Sequence, residues 1–310
     1  MINHNISFFI PAYNCEATLA ESVDSIMKSN FEDGDELIIV NDGSTDNTAK
    51  VLQILKEKYP VIKIIDHIEN KGGGAARNTA IKNAKNEILF CLDSDNILEN
   101  DSIYKLKRYL IENNADVATF QYVHYFKENI NEIIYKWQFK PMVISLADFF
   151  AGHISPPSSG NYMFTKKSWE KAGGYPEFTW LDAWGFGFRQ LATGSKMLVL
   201  SNTYYYHRFG HESYYIRGSK SSNISLVAAE IIEPYKDLLS EKSCNYIFGK
   251  GKNKWLEECK KKPVKVKSGE KGKTGKEIPD PNNIRSYFAR IPFIKRLYCL
   301  SKTILFNTKH

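Results

Sequence analysis

The feature that most limits what this chain can become is an alternation of short apolar runs with segments of helical spacing over its first hundred residues. Ile6–Ile10 reads as an apolar strand stopped by Pro11. Residues 15–29 put Leu19, Val23 and Ile26 on one helical face. Glu36–Val40 is a second strand, and the turn Asn41-Asp42-Gly43-Ser44 follows it. Ser44 or Thr45 is the expected N-cap of a helix through Lys58, with Ala49, Leu52 and Leu55 inward. Val61–Ile65 is a third strand, Gly72-Gly73-Gly74 opens a helix from Ala75 to Ala84, and Ile88–Leu92 is a fourth strand. Strands and helices that alternate through short loops close as a parallel, doubly wound α/β sheet. Ligands of such sheets bind outside the carboxyl ends of the strands.

Beyond residue 100 the pattern is more mixed. Residues 101–113 read as a helix, Val117–Tyr125 and Ile133–Phe139 as strands, and 145–152 as a helix. A loop at Pro156–Gly160 precedes a short helix Lys166–Ala172 that ends at Gly173-Gly174. Residues 182–193 are helical in spacing and Met197–Leu200 is a strand. Lys, Gly and Glu dominate 260–277, with little to bury, which predicts a linker. The net charge of +7 is concentrated at this end: residues 250–277 hold eleven Lys against four Glu, and six more cations follow residue 284 without an acid. Residues 1–249 therefore carry a compensating negative charge. The five cysteines form no C-x-x-C pair, which predicts reduced thiols rather than a disulfide framework or a zinc knuckle. Neither a signal peptide nor a transmembrane helix is expected.

Four polar segments fall at the ends of the strands. In Ile10-Pro11-Ala12-Tyr13-Asn14, Tyr13 can stack on a nucleobase and the backbone at Ala12 can touch it, or the stretch is a plain turn. In Val40–Asp46, Asp42 can accept from a uracil imide N–H while Ser44 caps the next helix, and both can hold. In Asn70–Asn78, glycines such as Gly74 allow close backbone approach, and helix N-terminal amides favour a diphosphate. Arg77 can donate to the base or the phosphates, or sit on the surface. The segment is not a G-x-G-x-x-G fingerprint, and Gly272–Lys276 lacks P-loop spacing. Asp93-Ser94-Asp95 places two carboxylates at i and i+2 where they leave the strand together, a place for a divalent cation and a pyrophosphate.

In this order the segments resemble the nucleotide-binding half of a GT-A fold glycosyltransferase of the large, inverting family 2. The resemblance is close over roughly residues 5–100 and looser over 101–215. It implies a doubly wound, mostly parallel sheet with an acceptor-side subregion and, here, a basic C-terminal extension. It implies a donor pocket of Pro11, Ala12, Tyr13, Asp42, Gly74, Arg77, Asp93, Ser94 and Asp95. In that pocket Asp42 and Arg77 lie around the base, Asp93 near the ribose, and Asp95 on a Mn2+ or Mg2+ ion that bridges the diphosphate. The chain is then expected to divide into a nucleotide-sugar-binding half (1–100), an acceptor-binding half (101–249), a Lys-rich linker (250–283) and a basic amphipathic segment (284–310).

Gly173–Phe178 is similar to the family's Gly-Gly-Phe turn. Relatives carry Glu-Asp seven and six residues before an Arg, here Arg189, but this chain has Asp182 and Ala183. Asp182, the only carboxylate of residues 179–189, is the expected general base, with a helix N-cap as its other reading. His207 is expected as a metal ligand or a diphosphate contact, and His211 could take either part or meet the acceptor. Trp180 and Trp184 could stack on an acceptor sugar or belong to the core. Ile284–Tyr298 resembles a basic amphipathic surface segment, suited to an anionic membrane or to packing on the domain. Nucleic acid is not expected.

The expected activity is metal-dependent, inverting transfer of a sugar from a nucleotide-sugar, by default a UDP-sugar, to a glycan or lipid-linked hydroxyl. The setting expected is polysaccharide synthesis in the cytoplasm or on its membrane face. A sugar-phosphate nucleotidyltransferase and a non-catalytic nucleotide- or glycan-binding relative are the competing classes.

Overall fold

The computed structural model describes residues 4–146, 160–209 and 224–238. The chain clusters into two units. One comprises Met1–Phe149 and His153–His211, the other Phe150–Gly152 and Glu212–His310.

In the first unit the four apolar runs are strands β1 (Ile6–Ala12), β2 (Glu36–Asn41), β3 (Ile62–Asp66) and β4 (Ile88–Cys91). Helices α1 (Leu19–Lys28), α2 (Thr48–Lys58) and α3 (Gly73–Lys82) connect them. These strands pair in parallel in the order β3-β2-β1-β4. Every residue of β2 and β4 is buried, the signature of strands covered on both faces. α1 buries Leu19, Val23 and Ile26, as its spacing predicts.

The remainder adds β5 (Ile97–Leu98), α4 (Asn100–Glu112), β6 (Val117–Phe126), β7 (Tyr135–Gln138) and β8 (Val143–Ile144). It continues with β9 (Met163–Thr165), α5 (Lys166–Lys171), α6 (Asp182–Ala192) and β10 (Met197–Arg208). Among the described residues the sheet has ten strands, ordered β3-β2-β1-β4-β9-β6-β10-β5, with β7 on β6 and β8 on β10. β6 and β10 are parallel, whereas β9 runs antiparallel to both its neighbours, β4 and β6. The expected mostly parallel α/β sheet is therefore present. The two halves expected at 1–100 and 101–249 share it as far as Arg208.

Several local expectations change. Pro11 does not stop β1, which continues to Ala12. The pairing of β1 with β4 ends at Phe9, so the missing N–H of Pro11 costs no bond on that side. α2 begins at Thr48 rather than after Ser44, and Ala49 is exposed. Asp46 Oδ1 accepts from Thr48 N at 2.9 Å, while Ser44 Oγ accepts from Asn14 N at 3.1 Å. Ser44 thus ties the first loop to the second instead of capping a helix. β10 runs on past Leu200 to Arg208 through an irregularity between Leu200 and Tyr204, so His207 lies on a strand and not in a loop. β5, β8 and β9 have three residues or fewer, too short to show periodicity. The helix expected at 145–152 and the segments expected at 250–283 and 284–310 lie outside the described residues, apart from Ser145 and Leu146.

In the second unit the described residues form α7 (Ile224–Ile232) and a 3-10 turn over Glu233–Leu238. Among the described residues no helix is long and apolar enough to cross a membrane.

Phe164 of β9 holds the two halves of the sheet together. It is fully buried, edge-on to Phe9 at 6.2 Å and to Phe186 at 5.1 Å, and it also meets Tyr162 and Tyr175. Phe164→Ala should cost about 3–5 kcal/mol, the usual range for removing a core aromatic ring, read as a lower urea midpoint at unchanged slope.

Candidate functional site

The strand order puts the carboxyl ends of β1, β2 and β4 side by side, and the turns that leave them are stitched together. Asn14 Oδ1 accepts from Thr45 N at 2.8 Å, Thr48 Oγ1 from Cys15 N at 2.9 Å, and Glu16 Oε2 from Asn47 N at 2.8 Å. Tyr13 stands at the rim, 36% exposed. Ala12 is buried and its carbonyl accepts from Asp42 N at 2.8 Å.

Asp42 faces inward. Its Oδ1 lies 2.6 Å from His67 Nδ1 and accepts from Lys71 N at 2.9 Å, and its Oδ2 accepts from Gly72 N at 2.9 Å. Asn70 Nδ2 donates to the Asp42 carbonyl at 3.2 Å, and His67 Nε2 is 3.0 Å from Thr79 Oγ1 of α3. At 2% exposure the Asp42 carboxylate anchors the 70–72 loop through the amides of Lys71 and Gly72.

Below that loop Gly74 and Arg77 sit on the first turns of α3. A Cβ on Gly74 would stand 2.2 Å from the Pro176 carbonyl oxygen and 3.3 Å from Asp182 Cβ. The close approach that Gly74 permits is thus to this chain's own 173–178 turn. Arg77 lies under the strand ends, with Nη1 2.5 Å from Asp182 Oδ2 and Nη2 2.7 Å from Asp93 Oδ1. Burial pulls the guanidinium pKa down, but Asp182, Cys91 and Asp93 more than offset this and hold it well above the ordinary arginine value. Burial raises the Asp182 carboxyl above the ordinary carboxylate value, against the pull of Arg77 and of the Ala183 N–H that donates to Oδ1 at 2.8 Å. Burial also lifts the Cys91 thiol to about 12, so it is no nucleophile.

Asp93 is held from the far side by Asn161, a residue that sequence reading passed over. Asp93 N donates to Asn161 Oδ1 at 2.7 Å, and Asn161 Nδ2 donates to Asp93 Oδ2 at 3.0 Å. Nothing in the sequence around Gly160-Asn161 marks it. Its partner is set by the antiparallel entry of β9 beside β4. Ser94 is half-buried, and its carbonyl accepts from Thr18 Oγ1 at 2.9 Å.

Asp95 and His207 come to neighbouring segments. Arg208 Nε donates to the Asp95 carbonyl at 3.1 Å, and Arg208 N donates to Asn96 Oδ1 at 3.0 Å. That bond orients the Asn96 amide so that Nδ2 points at His207 Nδ1, 3.3 Å away. Nδ1 must then accept, and the neutral ring carries its proton on Nε2. In that tautomer the ring offers its Nε2–H as a donor to an anion such as a diphosphate. Among the described residues no three His, Cys, Asp or Glu side chains gather around a possible cation. A hard cation that arrives with phosphate oxygens takes few protein ligands, and a carboxylate such as that of Asp95 has the right chemistry to be one.

On the acceptor side, Trp180 is half-buried and the Trp184 ring stacks on Phe188 at 6.1 Å with 10° between planes. His211 lies outside the described residues. A cavity of about 510 Å3 is lined by Asn78, Lys82, Trp169, Glu177 and Arg189 among others, and by none of Arg77, Asp93 and Asp182.

The family model described as Glycosyl transferase family 2 matches residues 7–172, more than half of the chain. The chain belongs to glycosyl transferase family 2. Relatives within and around this family include a poly(ribitol-phosphate) beta-glucosyltransferase of Bacillus spizizenii, 37% identical over 36% of this chain and 18% of that protein. Glycosyltransferase GlyG of Streptococcus pneumoniae is 35% identical over 42% of this chain and 43% of that protein. A poly-beta-1,6-N-acetyl-D-glucosamine synthase of Staphylococcus aureus is 37% identical over 35% of this chain and 25% of that protein. The chain thus aligns with less than half the length of each of these relatives. Among solved structures, S. aureus TarS 1-349 in complex with UDP-GlcNAc has a TM-score of 0.63 at 18% identity, over 94% of this chain and 82% of that one. The mannosyltransferase PcManGT of Pyrobaculum calidifontis, in complex with GDP-Man and Mn2+, has a TM-score of 0.54 at 14% identity, over 99% and 76%. These two similarities establish the GT-A fold of this family 2 chain.

Gly74→Ala should destabilise the protein by about 1–3 kcal/mol, the range for overpacking a tight contact, because α3 must retreat from Pro176. An unchanged urea midpoint would show that the approach is looser than 2.2 Å implies.

Proposed function

We propose that this family 2 chain transfers a sugar from a nucleoside-diphosphate sugar to a hydroxyl of a glycan or lipid-linked acceptor, with inversion at the anomeric carbon. The observation that carries the reading is the buried Asp182 carboxylate, held by Arg77 beside Asp93 at the mouth of the sheet. A uridine donor is the default, with Tyr13 stacking on the base. Asp42 acts by fixing the 70–72 loop, and Asp93 lies near the ribose. The UDP-GlcNAc complex of the TarS relative supports a UDP-sugar. The polymer-forming activities named for the curated relatives support a cell-surface glycan as acceptor.

In the proposed reaction Asp182 takes the proton of the acceptor hydroxyl as its oxygen attacks the anomeric carbon. The bond from that carbon to the diphosphate oxygen breaks in the same displacement. Arg77 holds Asp182 in place, and the His207 Nε2–H meets the departing diphosphate. A Mn2+ or Mg2+ ion on Asp95, when bound, would neutralise charge on the diphosphate. Trp180 and Trp184 are proposed to border the acceptor, together with His211. The segment 284–310 is proposed to touch an anionic membrane, which would put the enzyme on the cytoplasmic face.

Three measurements test this. Asp182→Asn should lower kcat by at least 100-fold while UDP binding survives; full transfer by the variant would refute the base. Because burial raises the Asp182 pKa and the base must be ionised, kcat/KM should fall with decreasing pH at a midpoint above the ordinary carboxylate range. Asp182→Asn should lose that limb. UDP should raise the melting temperature more with Mn2+ than without, and Asp95→Ala should remove the difference. Equal shifts with and without the ion would refute the metal assignment.

A further inference from the structure

We propose that Asn161 is a positioning residue for the donor, acting through Asp93. The assignment rests on the donor-site reading above and goes beyond it by adding a residue from the second half of the sequence. Asn161 is 1% exposed and spends both ends of its amide on Asp93. Its Oδ1 accepts from the Asp93 backbone N–H at 2.7 Å and its Nδ2 donates to Asp93 Oδ2 at 3.0 Å. The second carboxylate oxygen, Oδ1, then faces Arg77 Nη2 at 2.7 Å. The two contacts fix both the backbone and the rotamer of Asp93. Only an amide does both: a carboxylate could accept from the N–H but would set charge against charge at Oδ2.

The approach to this contact is also built for closeness. Gly160 has φ +78, and a Cβ there would sit 2.9 Å from Asp93 Oδ2. A side chain at 160 would be strained by its backbone and would also press on the Asp93 carboxylate. Asn161 leads directly into β9, whose pairing with β4 registers Met163 against Phe90. The sheet therefore delivers the amide to Asp93 as part of its hydrogen-bonding ladder. Without it, Asp93 could turn away from Arg77, which would be left on Asp182 alone, and the carboxylate assigned to the ribose would lose its orientation.

The test compares UDP titrations, by calorimetry with Mn2+ present, of the full chain and its variants. Asn161→Ala should weaken UDP binding by about tenfold and raise the donor KM by a similar factor. The acceptor KM should stay within twofold, and the melting temperature should move by no more than a few degrees. Asn161→Asp should be worse than Asn161→Ala. The exchange Asp93→Asn with Asn161→Asp keeps an amide facing a carboxylate, an acceptor for Arg77 and the net charge. Its loss of affinity should be smaller than the sum of the losses in Asp93→Asn and Asn161→Asp, a coupling read from the double-mutant cycle. Should Asn161→Ala fail to fold, the exchange pair carries the decision. Affinity in Asn161→Ala within twofold of the unaltered chain, or additive effects of Asp93→Asn and Asn161→Asp in the cycle, overturns the assignment of Asn161 alone. Absence of UDP binding by the unaltered chain overturns the donor reading and this assignment with it.

Discussion

One buried guanidinium organises this molecule. Arg77 leaves α3, passes under the ends of β1 and β4, and is met by Asp182 on one nitrogen and Asp93 on another. A cation in that position is tolerable only because two carboxylates surround it. Removing one partner of a buried pair typically costs about 3–5 kcal/mol, since the remaining charge stays out of water. The three elements that supply these groups come from residues 73–82, 93 and 182, and the ion pairs fix their relative placement. The network thus spends its specificity on geometry: it holds a prospective base, a prospective ribose contact and a helix start in one arrangement.

The arrangement also divides labour among the polar residues. Asp42 and His67 form a buried pair whose other side-chain hydrogen bonds go to Lys71, Gly72 and Thr79. Asp93 and Asp182 face Arg77. Asp95 and His207 sit at the junction of the 93–96 turn with β10, fastened by Asn96 and Arg208. Arg208 lies over the Phe126 ring at 4.6 Å and reaches Glu21 of α1 as well, so this junction is anchored on several sides. In the same short turn the Asp93 carboxylate thus meets Arg77 and Asn161, while the Asp95 carbonyl is held by Arg208.

What was legible in the sequence follows from the range over which each signal acts. Apolar runs and helical spacing are local, and they located β1 to β4 and α1 to α3 to within a few residues. The polar turns at the strand ends were legible for the same reason, because a parallel sheet places all of them on one edge. Partners were not legible. Nothing near Arg77 says that Asp182 lies against it, and nothing near Asp42 says that the amides of Lys71 and Gly72 occupy its oxygens. Asn161 was missed because its meaning depends on β9, a three-residue strand without periodicity. The length of β10 was misread because the irregularity after Leu200 breaks the alternation on which strand reading depends.

The position of β9 has a consequence for how the protein is made. β4 is complete at Cys91, but the strand that covers its outer edge ends at Thr165, and β6 waits for the same strand. At about 5–20 residues per second, the nascent chain carries two open apolar sheet edges for several seconds before β9 emerges. Unpaired edges of that kind are sites of misassociation between chains. A chain interrupted between Phe126 and Met163 would retain both of them permanently. The family match, which closes at residue 172, takes in β9 and α5. Synthesised from residue 1, the chain therefore covers both of those edges only after more than half of its 310 residues are made.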